Sequence, residues 1–376
     1  MTAARGEGEL GEVARLFLKL GFVGFGGPAA HIALMREEVV TRRGWVDDRE
    51  FADLLGATNI IPGPNSTELA MHLGAQRGGG RGLVVAGLCF IGPAVAIVSV
   101  IAWLYDRYGT DPAIVDLRYG VLPVVIAIVA NAVVGLGRTA LTSTIMWVVG
   151  LAAFGAFLAG VHELVVLVIG GTVTALWSMR GRGASFGVLL VPLWQAASGP
   201  DGVSLWRLFL VFLEIGSVLY GSGYVLLAFL EQNFVDELGW LTEQQVLDAV
   251  AVGQVTPGPV FTTATFVGWQ LAGPAGAAVA TVGIFLPSFV FVALLARIVP
   301  WVRRHPLARA ALDGVTAASL GLMAAVLVEL AGTALTDVLT VAIAVVALVL
   351  VARTPVGSVY LIGAGLAIGL AHAALT

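Results

Sequence analysis

Ile61-Pro62-Gly63-Pro64-Asn65-Ser66-Thr67-Glu68 in the first half of the chain and Thr256-Pro257-Gly258-Pro259-Val260-Phe261-Thr262-Thr263 in the second decide the fold. Each interrupts an otherwise apolar segment. Proline lacks a backbone donor and glycine relaxes backbone sterics, so Pro-Gly-Pro ends a helix and frees N–H and C=O groups that hydrocarbon cannot satisfy. Inside a membrane such a break has to line protein or water. Asn65 and Glu68 have the spacing of a capping box that starts a new helix, and Thr262 and Thr263 put hydroxyls in its place in the second copy. Both breaks predict helix N-termini held within the bilayer, where roughly half a positive charge and unsatisfied N–H groups receive an anion without any Lys or Arg. A single motif of this kind reads equally well as a kink. Two copies in register favour a site.

The membrane itself follows from composition. Of 376 residues 58% are hydrophobic and 12% charged, with a mean hydropathy of +0.94, whereas a soluble domain carries about 25% charged residues. One cysteine, Cys89 between Leu88 and Phe90, excludes a disulfide framework and a Cys-based metal site. The stretch Met1–Gly11 mixes charges of both signs and does not read as a cleaved signal peptide, so the first membrane segment is expected to serve for targeting. The net charge of −4 and the lack of a long basic run speak against nucleic acid. Small ions and the lipid bilayer are the expected partners, a homodimer stays open, and no cofactor or metal is expected.

Displacing the sequence on itself by 195 positions, from Pro62 to Pro257, aligns the halves. Phe17/Phe212, Leu18/Leu213, Gly21/Gly216, Gly26/Gly221, Gly44/Gly239, Trp45/Trp240, Asp53/Asp248, Pro62/Pro257, Gly63/Gly258, Pro64/Pro259 and Thr67/Thr262 are identical. Asn59/Gln254 and Phe25/Tyr220 are chemically similar. Apolar low complexity aligns Leu with Leu by chance, but not Trp, Asp and Pro-Gly-Pro. The expected units are a first repeat over 12–180, a linker over 181–201 and a second repeat over 202–373.

The expected fold is all-α and polytopic. Each half reads as an apolar first segment (Leu16–Met35, Leu205–Leu230), a charged loop, a broken hairpin (Phe51–Gln76, Val246–Leu271) and four further apolar stretches. The loop after the first segment holds Arg36, Arg42, Arg43 and Arg49, whereas its counterpart from Glu231 to Glu243 holds no Lys or Arg, so equivalent loops are expected on opposite sides. With Arg77 and Arg81 at its far end, the first hairpin is expected to enter and leave on the cytoplasmic side. If each hairpin is re-entrant and each first segment crosses, every half crosses five times, about ten spanning helices in all. An odd count inverts the second repeat, puts both termini outside and brings the two tips together near the midplane, a known transporter design.

On Phe25-Gly26-Gly27-Pro28, Gly44-Trp45 and Pro62-Gly63-Pro64, with their partners Tyr220-Gly221-Ser222-Gly223, Gly239-Trp240 and Pro257-Gly258-Pro259, the sequence resembles the chromate ion transporter family in its long two-domain form. The resemblance covers nearly the whole chain. It implies export of chromate from a bacterial cytoplasm across the inner membrane, and a substrate site built from these motifs: Phe25, Gly26, Gly27, Tyr220, Gly221, Ser222 and the two breaks. The second half departs at Ser222-Gly223, where the first has Gly27-Pro28, so the half-sites are not expected to be equivalent.

Around the breaks, Asn59 and Gln254 could donate amides to an oxyanion or cap the preceding helix. Gly63, Asn65, Ser66, Thr67, Gly258, Thr262 and Thr263 place backbone and hydroxyl donors in the first turn after each break, for ligand contact or for capping. Glu68 would repel a dianion, which suits a proton-coupling group, or it completes the capping box. Lys19 and Glu214 share a repeat position inside apolar runs and either pair across the pseudo-two-fold axis or, for Lys19, snorkel to the interface. His31 and His72 either lend charge or sit hydrogen-bonded in the core. Trp45 and Trp240 read as interfacial anchors.

A secondary transporter exporting a tetrahedral oxyanion is the leading expectation, since no ATP-binding Gly-Lys-Ser/Thr loop is present. A dianion leaving a negative interior gains about 2.3 kcal/mol per charge per 100 mV. Sulfate or other oxyanion uptake or exchange by the same fold, and an anion channel, remain open. No Asp-rich cluster, His-Glu-x-x-His or Ser/His/Asp set lies in the apolar segments, so an enzyme is not expected.

Overall fold

The Pro-Gly-Pro breaks are where helices stop and restart in the computed structural model of the chain, which describes residues 2–24, 27–58, 61–108, 112–180, 203–219, 225–354 and 356–375. In the first half α1 (Thr2–Val23) is followed by α2 (Gly27–Arg36), which runs on as a π-helical turn over Glu37–Arg42. Then come α3 (Asp48–Thr58), α4 (Asn65–Tyr108), α5 (Pro112–Ala140), α6 (Thr144–Leu158) and α7 (Glu163–Ser178). The second half repeats the order as α8 (Leu205–Val218), α9 (Leu226–Leu230) with a π-helical turn over Glu231–Glu237, α10 (Glu243–Val255), α11 (Thr263–Arg304), α12 (Pro306–Ala334), α13 (Val338–Arg353) and α14 (Ser358–Leu375). Among the described residues every regular element is helical.

Local backbone repeats too. Gly63 and Gly258 both have positive φ, at +135° and +92°. The long helices α4 and α11 each break in the same conformation, at Gly79 (φ 61°, ψ −151°) and Gly273 (φ 60°, ψ −151°). These two are 194 apart rather than 195, as are the intrahelical Pro93 and Pro287 beyond them, so the second hairpin has lost one residue at its far turn. Each long helix is therefore the return leg of a hairpin followed by a full-length helix.

The first segment does not cross as a straight rod. Lys19 of α1 pairs with Glu38 beyond α2 at 2.8 Å, and Arg43 lies 3.9 Å from Glu12, so α1 and α2 run back along each other. The sequence explains why: Glu9, Glu12, Arg15 and Lys19 on α1, and Arg36, Glu37, Glu38, Arg42 and Arg43 opposite, are too many charges for a span. Four helices have the length and hydropathy to cross a membrane (within α4, α5, α11 and α12), and four shorter ones are as apolar, α6, α7, α13 and α14. Among the described residues that makes eight helices of crossing character where about ten were expected.

Two clusters of contacts define the ends of the molecule. At one, Arg77 holds Glu12 at 3.1 Å and stacks over Trp45, and Gly78 abuts Leu10. From there the second leg of α4 rises over residues 80–108, about 42 Å at 1.5 Å per residue. Near its top Tyr105 donates to Asp248 of α10 at 2.5 Å. Around Asp248 gather Glu243 bonded to Thr333, Tyr119 bonded to Asp337 at 2.6 Å and stacked on His372, and Arg207 over Trp240. The Trp45 and Trp240 loops thus sit at opposite ends, as do the first turns of α1 and the last turns of α14.

The halves interlock. The second leg of α4 packs on that of α11, α5 on α12, α5 also on α13 and α14, and α12 on α6 and α7. Small residues allow the close approach, as between membrane helices generally. A Cβ at Gly120 of α5 would strike the Gly365 carbonyl of α14, and one at the equivalent Gly314 of α12 would strike Thr174 and the Gly170 carbonyl of α7. Outward faces keep large apolar side chains half exposed, such as Leu151 of α6 and Val346 of α13. Such a surface belongs in lipid.

Candidate functional site at the two Pro-Gly-Pro tips

The backbone builds the site before any side chain does. At the first tip Pro62, Gly63 and Pro64 are buried, and the Pro64 carbonyl accepts the Thr67 and Glu68 amides at 2.8 and 3.1 Å, opening α4. The Gly63 amide donates at 2.8 Å to the carbonyl of Leu219, at the carboxyl end of α8 in the other half. The Gly258 amide does the same in reverse, donating at 2.9 Å to the carbonyl of Gly24 at the end of α1. Gly24 and Leu219 are themselves equivalent, 195 apart. The contact is therefore isologous, as across a two-fold axis. Each tip is pinned to the other half, and the two glycine amides are spent on this pinning rather than left open for an anion.

Side chains then make the tips unequal. At the first, His31 of α2 is buried, with Nε2 at 2.8 Å from the Gly24 carbonyl and Nδ1 at 3.2 Å from Ser66 Oγ. A carbonyl only accepts, so Nε2 carries the proton and Nδ1 of the neutral ring accepts from the Ser66 hydroxyl. His31 is a hydrogen-bonded core residue, and the Gly24 carbonyl it shares with Gly258 ties the second tip to the first turn of α4. Next to Ser66, Thr67 Oγ1 is buried without a hydrogen bond, and both carboxylate oxygens of Glu68 and Ser288 Oγ of α11 are buried with no partner beyond each other. Glu68 Oε1 and Ser288 Oγ converge on the same side of Gly63, where an added Cβ would meet both, Ser288 at 2.5 Å. Glu68 thus makes no capping box, because its carboxylate reaches no backbone amide. Asn65 starts α4 half-buried.

At the second tip the hydroxyls are satisfied internally. Thr262 Oγ1 donates to the Pro259 carbonyl and Thr263 Oγ1 to the Val260 carbonyl, each at 2.8 Å. They are not the free donors that the sequence suggests. The orphan here is Gln254, whose Nε2 is buried without a partner beside a small cavity shared with Thr263, Val250, Leu226 and Val129. Gly27, which opens α2 at φ +77°, is half-buried. Phe25, Gly26, Asn59, Tyr220, Gly221 and Ser222 lie outside the described residues.

Lys19 and Glu214 do not meet. Lys19 belongs to a network in which Glu38, 6% exposed, is held by Lys19, Arg42 and Arg43. The Lys19 hydrogen bond, opposed by burial and helped by Arg43, holds the Glu38 carboxyl below its usual range. Glu214 lies instead at the other end among carboxylates. There burial first, and then Glu243, Asp236 and Glu329, push Glu231 up to about 8. Ser288 is the site residue that sequence reasoning missed. Its signal was Pro287-Ser288 in an apolar run, where the first half has Pro93-Ala94.

A family model described as Chromate transporter matches residues 11–175 and, a second time, residues 206–370. The chain belongs to the chromate transporter family. The two matches stand 195 residues apart, the same offset that aligns the tips. Relatives include a probable chromate transport protein of Synechococcus elongatus, 34% identical over 90% of this chain and 89% of the relative. The chromate transport proteins of Pseudomonas aeruginosa (33%, over 84% and 79%) and Cupriavidus metallidurans (30%, over 92% and 88%) are similar over comparable lengths. No solved structure matches. With its apolar helices the chain is a multi-pass bacterial membrane protein, and its family is one of transporters.

Proposed function

We propose that this protein is a secondary transporter that exports chromate from the cytoplasm across the inner membrane, binding the oxyanion between the two tips near the midplane. The observation that carries the reading is the buried set of Thr67, Glu68 and Ser288 beside Gly63, which finds no hydrogen-bond partner outside itself, in a chain with two chromate transporter matches. Buried polar groups almost always find partners. A set left open at a helix N-terminus fits a polar ligand that comes and goes. Hydroxyls of Thr67 and Ser288 can donate to tetrahedral oxygens. A charged Glu68 repels the dianion, whereas a protonated one donates to it, so anion and proton are taken up together, and Glu68 is the coupling group. Gln254 adds its amide from the second tip.

The end that carries Arg36, Arg42, Arg43, Arg77 and Arg81 faces the cytoplasm on the positive-inside rule. The two repeats are then inverted, with their hairpins entering from opposite sides. The inversion does not require five crossings per half. α7 starts beside Asn233 and packs toward the first turns of α12, so Ser178 and Leu205, on either side of 181–202, lie at opposite ends.

Counterflow in proteoliposomes tests the reading. Unlabelled chromate inside should drive accumulation of labelled chromate. A proton gradient should shift the direction of net flux. Sulfate that replaces chromate fully would make the protein a general oxyanion exchanger, and flux without counterflow would make it a channel.

A further inference from the structure

A polar chain at the tips of the first half is replaced by apolar side chains in the second. Ser66 Oγ of α4 donates to His31 Nδ1 at 3.2 Å, and His31 Nε2 donates to the Gly24 carbonyl at 2.8 Å. The same carbonyl accepts the Gly258 amide at 2.9 Å. His31 is 2% exposed and meets Phe90 edge-on, with ring centres 5.3 Å apart, so packing as well as hydrogen bonding fixes the plane of its ring. A Cβ at Gly24 would lie 2.9 Å from His31 Cδ2, so glycine is what admits the ring. At the positions 195 further on, the second half has Phe261, Leu226 and Leu219 for Ser66, His31 and Gly24. All three are buried, and the Leu219 carbonyl still receives the Gly63 amide. The fold therefore builds this place from apolar side chains alone. A buried polar chain carries a desolvation cost that an apolar one avoids, and that points to a task beyond folding.

We infer, on the reading that the oxyanion sits between the tips, that His31 is a positioning residue which holds the two half-sites in one register. Ser66 immediately precedes Thr67 and Glu68, so fixing its side chain fixes the rotation of the turn that presents them. Gly258 follows Gln254 by four positions, so fixing its amide fixes the end of α10 from which Gln254 projects. One ring thus bears on donors from both halves without touching the ligand. A neutral imidazole suits this task because it offers one donor and one acceptor on different edges of a rigid plane, which Leu cannot. The ring also hangs from a fixed post. α2 leads, seven residues beyond His31, into Glu38, which Lys19, Arg42 and Arg43 hold.

Hydrogen exchange of the full chain in detergent, without chromate, tests the link itself. In His31→Leu, which installs the residue of the second half, and in Ser66→Ala, peptides across 256–262 should exchange several-fold faster, although both changes lie in the other half. Peptides across Gly63 should keep their rate, because Leu219 takes that amide with Leu226 at the place of the ring. His31→Gln, whose amide nitrogen overlays Nε2, should restore the parent rate at 256–262. Equilibrium dialysis against labelled chromate then reads the site. His31→Leu should bind about tenfold more weakly, as the loss of one buried hydrogen bond predicts, with a melting temperature near that of the parent, and His31→Gln should recover most of the affinity. Unchanged exchange at 256–262 in His31→Leu and Ser66→Ala would overturn the inference. So would weaker binding that merely follows a lower melting temperature and is not recovered by Gln, since the ring would then only fill the core. Loss of the pH dependence of counterflow in His31→Gln would overturn it too, since the ring would then carry the proton. A parent protein that binds no chromate would sink the transport reading, while the exchange rates still decide whether His31 joins the tips.

Discussion

Gly258 gives the sharpest test of how the halves hold each other. Its φ of +92° strains any L-residue, and a Cβ built there lies 2.8 Å from Cβ of Ala94, a residue of the other half. Gly258→Ala should therefore carry two separable penalties. Backbone strain costs roughly 1–2 kcal/mol, and overpacking against Ala94 about 1–3 kcal/mol. Weakening of the Gly258 to Gly24 hydrogen bond, which crosses between halves, can add about 1 kcal/mol more. The sum, on the order of 3–6 kcal/mol, is a large part of a typical folding free energy of about 5–15 kcal/mol.

Only the overpacking can be removed from the other side. Ala94→Gly takes away the struck methyl and alone costs about 1 kcal/mol as a helix glycine. If the tips pack against Ala94, the double variant is more stable than the sum of the two single losses by the overpacking relieved, about 1–3 kcal/mol, and than Gly258→Ala alone by up to about 2 kcal/mol. The assay is the melting curve of detergent-solubilised protein by size-exclusion fluorescence, with chromate counterflow on the same preparations. A Gly258→Ala protein as stable as the parent would refute the reasoning. So would a double variant that merely adds the two losses, because the second tip would then not rest on the second leg of α4.

Three further outcomes follow from named groups. In a double-mutant cycle Lys19→Met and Glu38→Gln should couple by about 0.5–1 kcal/mol, the range for a half-exposed pair, while Lys19→Met and Glu214→Gln should add; coupling in the second cycle would contradict the pairing seen here. Glu231 releases its proton near pH 4.5 when unfolded but at about 8 when folded, so the folded state holds the extra proton and stability should fall as pH rises between those values. Glu231→Gln should flatten that fall in a melting series from pH 5 to 9, and a parent protein that gains stability over this range would exclude it. Glu68→Gln, close to isosteric, should leave chromate binding measurable and remove the pH dependence of counterflow; an unchanged pH profile would move the coupling role elsewhere.

Much of the fold was legible in the sequence because the informative residues are those with few substitutes. Trp45/Trp240, Gly44/Gly239 and the Pro-Gly-Pro pairs gave the duplication, and the helices restart at Asn65 and, as a short turn, at Val260. The first segment misled, because apolar runs from Leu16 and Leu205 outweigh the charges that flank them in any window average. Those charges make α1 and α2 a hairpin. The tips were legible as places but not as partnerships. A motif shows that Gly63 and Gly258 have amides to give, whereas only the packed chain shows Leu219 and Gly24 taking them. Ser288 was missed for the related reason that, although Pro287-Ser288 marks it in an apolar run, its role comes from proximity to Gly63, more than two hundred positions away in sequence.

The pattern of what the halves share and what they do not follows from where each residue sits. The Pro-Gly-Pro tips are identical, since Gly63 and Gly258 each donate to the other's half, whereas what they rest on differs, Gly24 against Leu219 and Ala94 against Ser288. Positions at the two ends have diverged in charge. Lys19, Glu38 and Arg42 stand where the second half has Glu214, Asn233 and Glu237. Under one topology those ends face different compartments, and a basic end holds the protein in place on the positive-inside rule while an acidic one does not. The tips lie between these regimes. There the second half keeps the amide pinning but turns its threonine hydroxyls inward, and the first keeps Thr67 and Glu68 open. Of the two half-sites only the first carries a carboxylate, Glu68 standing where the second has Thr263, so coupling through Glu68 should take up one proton per turnover rather than two.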